Sequence, residues 1–452
     1  MRYLFCFLFL QLIIFCNASA QLAPVGQWRE HMDYREGKRV ALSDGHVFTA
    51  TNFGAYVVSR TDGEISRLSK VSGLNDVGVR TLNYNRATNK LLIAYNNSNL
   101  DVLYRNDVIN IPDIARSTAT GDKTIYDIFF AGNNAYLSSG LGVIVVDLQK
   151  YEISNTFIIG NNGSNVKVNG FAANSTQFFA ATDEGLKIAN QTVANLNDYR
   201  NWSLASGTNG LPTGAVLQVF VVQNTVFARI LNSLYSFNGT SWQLIYNDDW
   251  RWETVNASDG SLLISEERFG WIERRVVVLN TSGTVTAVVQ NNAELRYPMH
   301  AVKSGNEIWI ADLEKGLVKA ESNLFERYAI NSPYGRLDGE MLFYKNTLYV
   351  AGGSINDAWN YQFNGSGFFT FTNNEWKDYN RFTLPWMDTI FDIISIAVDP
   401  RNDVIYAGSF GGGLIEFTSA TQFRVYKQNS PLNVAIGDPN NYRVGGMAFD
   451  KE

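Results

Sequence analysis

Apolar residues come in short bursts along this chain. Val143-Ile144-Val145-Val146 and Val276-Val277-Val278-Leu279 are unbroken apolar runs of strand length, and residues 217–222 form another interrupted only by Gln218, the pattern of strands covered on both faces. Polar clusters separate the bursts: Thr61-Asp62-Gly63, Gly160-Asn161-Asn162-Gly163, Ser258-Asp259-Gly260 and Thr281-Ser282-Gly283. Asn-Gly and Asp-Gly pairs supply positive φ at little cost, so these clusters mark hairpin turns. No long segment keeps a helical period. One short helix or turn is expected over residues 193–199.

The bursts repeat. About every 40–50 residues an aromatic or large apolar residue opens a run of small residues that ends in glycine, the spacing of propeller blades. Clear copies are Phe48-Thr-Ala-Thr-Asn-Phe-Gly54, Tyr136-Leu-Ser-Ser-Gly-Leu-Gly142, Phe179-Ala-Ala-Thr-Asp-Glu-Gly185, Trp309-Ile-Ala-Asp-Leu-Glu-Lys-Gly316 and Tyr406-Ala-Gly-Ser-Phe-Gly-Gly-Gly413. Fainter copies begin at Leu92, Phe227, Leu263 and Tyr349. A repeat of this kind buries its faces only against its neighbours. The expected fold class is therefore all-β, as tandem β-propellers.

Roughly nine copies exceed the four to eight blades at which propellers usually close. The expected division is a closed first propeller of about seven blades over residues 21–320 and an incomplete second propeller over 321–452. Gln27-Trp28-Arg29-Glu30-His31 with Tyr34 resembles Phe325-Glu326-Arg327-Tyr328 with Tyr334. The Trp28 segment is therefore expected to complete the blade built around Trp309, removing an exposed sheet edge, with the Tyr328 segment opening the second ring. Tyr442-Arg-Val-Gly-Gly-Met-Ala-Phe-Asp450 reads as the first strand of a further blade, so the sequence is expected to be part of a longer protein.

The first residues read as an export signal. Arg2, the apolar stretch 4–15 and Ala18-Ser19-Ala20 predict a signal peptide over 1–20 and a mature start at Gln21. Cys6 and Cys16 are the only cysteines, and both precede that start, which leaves no disulfide or thiol chemistry. Phe15 is too bulky for a lipoprotein signal at Cys16. The net charge is −6, with basic residues scattered, which argues against nucleic acid as a partner. Aromatic residues at 13% against 18% charged suit strands better than helices.

Catalytic sets are thin. The three histidines, His31, His46 and His300, show no metal-ligand spacing, and no metal or cofactor is expected. Asp248-Asp249, Glu266-Glu267 and Asp312 with Glu314 are the acid pairs that a glycosidase reading would need. Gly411-Gly412-Gly413 precedes a strand rather than a helix, so it reads as a turn and not a phosphate loop. The stretch richest in binding chemistry holds Trp250, Arg251, Trp252, Trp271, Arg274 and Arg275. Aromatic faces stack on sugar rings and guanidinium groups grip phosphate, so these six are the candidate ligand-binding residues. The competing reading packs the tryptophans between sheets and pairs the arginines with glutamates. A second candidate patch is Asp357, Trp359 and Tyr361, with Trp386.

The segments Gly26-Gln27-Trp28-Arg29-Glu30-His31, Leu68-Ser69-Lys70-Val71-Ser72-Gly73-Leu74-Asn75-Asp76, Gly121-Asp122-Lys123 and Ala135-Tyr136-Leu137-Ser138-Ser139-Gly140-Leu141-Gly142-Val143 together resemble the PorZ family, surface components of the type IX secretion machinery of Bacteroidetes. The later repeats resemble generic two-component-regulator propeller repeats. The resemblance implies two seven-bladed propellers, a C-terminal β-sandwich that this sequence lacks, and an outer-membrane attachment complex with the sortase PorU and the barrel proteins PorV and PorQ. It also implies delivery of anionic lipopolysaccharide to the sortase, with no enzymatic activity of its own. The leading expectation is thus a non-enzymatic binding and scaffolding protein at the cell surface. The alternatives are the periplasmic ligand-sensing domain of a hybrid two-component regulator and a propeller enzyme acting on polysaccharide.

Overall fold

The computed structural model describes residues 28–268, 273–335 and 337–450. The expected signal peptide over 1–20, both cysteines and Trp271 lie outside the described residues. Among the described residues the chain forms nine four-stranded antiparallel sheets, each built from four consecutive strands in sequential order. The fold is all-β and propeller-like. Helix is confined to one four-residue turn at Asp113–Arg116 and to 3-10 turns, one of them at Tyr199–Asn201, beside the expected 193–199.

Each of the nine sequence repeats falls on the second strand of its sheet: Phe48 in His46–Thr51, Tyr136 in Asn134–Ser139, Trp309 in Glu307–Asp312, and so on to Tyr406 in Ile405–Ser409. The small residues of the motif, such as Ala50, Ala181, Ala311 and Ala407, are wholly buried, where a longer side chain would push a neighbouring sheet away. The motif then turns on a capping oxygen. Thr51, Ser139 and Thr182 donate their hydroxyls to the carbonyls of Gly54, Gly142 and Gly185 at 3.1, 2.9 and 2.7 Å. Asp312 does the equivalent work by accepting the amides of Glu314 and Lys315, both at 2.9 Å. The closing glycine is required by shape. Gly142 and Gly413 have φ of 120° and 84°, and a Cβ on either would strike the carbonyl oxygen of Phe157 or Tyr426 on the fourth strand.

The sheets divide between two compact units, Asp33–Ile330 and residues 28–32 with 331–450. In the seven-sheet unit the innermost strand of each sheet packs on that of the next, and Pro298–Ser304 of the seventh packs on Gly37–Leu42 of the first. Polar side chains on these strands clasp the neighbouring backbone: Asn83 reaches the Ile128 carbonyl at 2.8 Å, Gln218 that of Val255 at 2.7 Å and Asn256 that of Ala301 at 3.0 Å. The first and seventh sheets meet through Tyr56 Oη donating to the Tyr328 carbonyl at 2.9 Å, Arg60 paired with Glu307 at 2.7 Å, and the Val40 amide donating to His300 Nδ1 at 3.4 Å.

The seam corrects one expectation. The sheet around Trp309 takes its outer strand from Leu324–Tyr328, so the Trp28 segment does not complete it and Tyr328 does not open a second ring. Residues 28–32 belong instead to the two-sheet unit. There Arg29 Nη1 donates to Asn374 Oδ1 at 2.7 Å, and His31 Nδ1 accepts from Trp376 Nε1 at 3.0 Å between the rings of Phe371 and Trp376. The physical reason is that His31 offers an acceptor that Trp376 needs, whereas the seventh sheet already has its fourth strand. Trp28 itself is 86% exposed.

Candidate functional site

The sixth sheet carries the sequence-predicted patch. Trp250 and Trp252 are buried, packed with Phe227, Leu234, Val255 and Leu262. Asp248 organises them: it accepts from Trp252 Nε1 at 2.7 Å, Tyr246 Oη at 3.0 Å and the Trp250 amide at 3.2 Å. Arg275 lies over the Trp250 ring at 3.9 Å and pairs with Asp248 at 3.2 Å and with Glu266. Arg274 pairs with Glu267 at 3.0 Å and covers Tyr297. Arg251 pairs with Glu267 at 3.0 Å and with Glu253.

Strand register explains the pairing. Glu266, Glu267 and Arg268 face Arg275, Arg274 and Glu273 directly across the second and third strands, so opposite charges stand side by side. Glu266 is fully buried and its carboxyl is pushed up to about 8, by burial first, with Arg275 opposing the shift. The tryptophan faces are covered and each guanidinium is engaged with a carboxylate. Arg251, its side chain 58% exposed, is the member of the group that meets solvent most. Asp248, Asp249, Glu253, Glu267 and Glu273 stand among Arg229, Arg251, Arg268, Arg274 and Arg275, so the positive charge here is already compensated and little field remains to draw an anion.

The second patch has the opposite character. In the eighth sheet the second strand, Thr347–Ala351, does not turn tightly into the third, Phe368–Thr372. Residues 352–367 intervene, and Trp359 and Phe363 on them are 62% and 70% exposed. Tyr361 lies between Phe363 and the buried Phe410. Asp357 is exposed beside them. Trp386 is not part of this group; it stacks on Phe423 at 3.8 Å.

Other candidates are absorbed by structure. His300 is buried, and burial together with Arg39 holds its imidazole well below the usual range. It is neutral and serves the Val40 amide. Asp312 accepts the amides of Arg296 and Tyr297, both at 2.8 Å, besides its own turn. Ser409 caps the amides of Gly411 and Gly412, so the triple glycine is a blade turn. A cavity of about 430 Å³ runs along the inner strands of the seven-sheet unit, lined by Arg39, Asn83, Asp127, Gln218, Asn256 and His300 among others. Arg39 is paired with Asp127 there and donates to Thr81 at 3.2 Å. Among the described residues no cluster of His, Cys, Asp or Glu is placed to hold a metal, and no helix is long and apolar enough to cross a membrane.

Residues 47–203 match the family model of the N-terminal β-propeller domain of PorZ of the type IX secretion system. No curated protein matches the chain. Among solved structures it resembles PorZ of Porphyromonas gingivalis, an essential surface component of that organism's type IX secretion system, with a TM-score of 0.80 and 23% identity. The likeness covers 94% of this chain and 56% of that one, so this chain spans little more than half the length of that relative. The extracellular domain of a hybrid two-component system from B. thetaiotaomicron matches with a TM-score of 0.49 and 12% identity, over 95% of this chain and 56% of that one.

Proposed function

We propose that this chain, of the PorZ family through its N-terminal propeller domain at residues 47–203, is a non-enzymatic component of a type IX secretion system at the cell surface. It binds anionic lipopolysaccharide and helps hold the sortase PorU with the barrel proteins PorV and PorQ. The observation that carries this reading is the PorZ domain match itself; the fold alone would not, because propellers host unrelated functions. The engagement of His31, His300 and Asp312 in structural hydrogen bonds supports a binding role over a catalytic one. Export through the signal segment 1–20 is part of the same proposal.

The experiment is affinity purification of the tagged protein from its own bacterium, with deletion of its gene alongside. Recovery of the sortase and loss of cargo attachment in the deletion strain are expected. Failure of both overturns the reading. Capture of anionic lipopolysaccharide by the purified protein is a separate arm. With Arg251→Ala, unchanged capture would remove the sixth-sheet patch as its site while leaving the scaffolding role standing.

A further inference from the structure

In the first, third, fourth, seventh and ninth sheets the motif's fourth position is Thr51, Ser139, Thr182, Asp312 or Ser409, and the chain turns there at once. In the eighth sheet that position is Gly352, which has no side chain to cap a turn. The chain leaves and returns at Gly367, whose φ is 75° and whose missing Cβ would strike the Tyr379 carbonyl, as at Gly142 and Gly413. Residues 352–367 are therefore an insertion at one repeat's turn, and insertions of this kind commonly form the binding face of repeat proteins.

The insertion is held in place. Asp392 is fully buried; its Oδ2 accepts the amides of Gln362 and Phe363, both at 3.0 Å, and its Oδ1 that of Asn364 at 2.9 Å. Asn364 donates to the Gly352 carbonyl at 2.9 Å, and Asn356 Oδ1 accepts the amides of Ala358 and Asn360 at 3.1 and 2.8 Å. On this frame two bulky residues sit in the left-handed region, Trp359 with φ of 58° and Phe363 with 53°. Each such conformation is costly for a side chain with a Cβ, and strain of this sort concentrates at ligand sites. Both rings face solvent although burial would stabilise them.

The composition identifies the ligand. From Trp359 to Asn364 aromatic and carboxamide residues alternate: Trp-Asn-Tyr-Gln-Phe-Asn. An aromatic face carries partial negative charge and packs against the C–H face of a pyranose. Carboxamides and carboxylates hydrogen-bond ring hydroxyls. Asp357 is the one charged residue in 352–367, and the exposed Arg443 and Arg381 flank the insertion. Arg443 Nε donates to Tyr361 Oη at 3.0 Å, and its guanidinium lies 4.8 Å from the rings of both Tyr361 and Phe410. The insertion's own residues thus offer stacking and hydrogen bonds, with one carboxylate and no cation among them.

We propose that residues 352–367 form a carbohydrate-binding platform for an uncharged pyranose, with Trp359 and Phe363 stacking on the sugar and Asp357 and Asn360 meeting its hydroxyls. The proposal does not rest on the secretion role or on any contact with lipopolysaccharide.

The test is affinity electrophoresis of the purified protein in gels containing dextran, mannan, galactan or the polyanion alginate, followed by calorimetric titration with whichever polymer retards it. At least one neutral polymer is expected to retard the protein, and alginate is not. Trp359→Ala and Phe363→Ala should each weaken binding about tenfold, the scale of one aromatic pairing, at an unchanged melting temperature. Trp359→Phe should retain more affinity than Trp359→Ala. No retardation by the three neutral polymers, retardation by alginate alone, or equal binding by wild type and alanine variants each overturns the proposal. Loss of protein partners from the variants with unchanged sugar binding assigns the platform to a protein contact and overturns it equally.

Discussion

Residues 246–268 on the sixth sheet and residues 352–367 on the eighth are both rich in aromatic residues beside charged or polar ones, yet they end in opposite environments. The first is turned inward: Trp250 and Trp252 pack on apolar neighbours, and Asp248 gathers an indole, a phenol, an amide and a guanidinium. The second is turned outward on a frame whose hydrogen bonds are made below the surface by Asp392. The lesson is that aromatic content does not mark a binding surface. What separates the two regions is whether the polar groups satisfy the rings' own neighbours or satisfy the backbone and leave the rings free.

Truncations measure the contrast most strongly. Trp252→Ala should destabilise the seven-sheet unit by about 3–5 kcal/mol, through lost packing and the loss of one of the donors to Asp248, seen as a lowered calorimetric transition. Arg275→Met comes next at about 3 kcal/mol, because it strands the Asp248 carboxylate and leaves the buried Glu266 carboxyl without its partner. A neutral result for either would mean that the cluster is not integral to the core.

Glu266 gives the comparison a pH axis. Its folded-state pKa of about 8 lies above its ordinary value of 4.5, so between these the folded state binds more protons than the unfolded one. Its contribution is fully present below pH 4.5 and is lost as pH rises through about 8. Glu266→Gln should flatten the fall in melting temperature across that window, with Asp248 and Arg275 still facing the site. An unchanged slope would assign the pH dependence elsewhere.

On the eighth sheet the effects are smaller and different in kind. Asp392→Ala should cost about 1–3 kcal/mol and speed hydrogen exchange at the amides of Gln362, Phe363 and Asn364; slow exchange there would show that the frame does not depend on it. Trp359→Gly should change stability by about zero to 1 kcal/mol, in the stabilising direction, since glycine relieves the left-handed backbone at some entropic cost. A clear destabilisation would mean that this ring is a packing element like Trp252, and the contrast would fail.

The repeat was legible because its cause is local. A bulky residue, small residues, a capping oxygen and a glycine at fixed spacing located the second strand of five sheets, and the weaker bulky-then-small pattern at Leu92, Phe227, Leu263 and Tyr349 located the other four. The placement of Trp28 to His31 was not legible, because it rests on contacts between residues 345 positions apart, Arg29 with Asn374 and His31 with Trp376, which no periodicity encodes. The buried character of Trp250 and Trp252 was equally hidden: it depends on Asp248 and on a strand register that sets Glu266 opposite Arg275. Trp359 was visible as an aromatic residue, but its exposure follows from its place in the insertion 352–367, which lies between the second and third strands and is readable only by aligning the repeats against one another.

Each sheet is assembled from four successive strands, with none lent to the far end of the unit. An emerging polypeptide can therefore finish one module before the next appears, and no strand has to wait for a distant mate. The final module then packs on the initial one as the others pack on their neighbours, inner strand Pro298–Ser304 on Gly37–Leu42, with Tyr56, Arg60 and His300 adding hydrogen bonds and an ion pair. The terminal modules can therefore dock as finished units, with no strand exchanged between them.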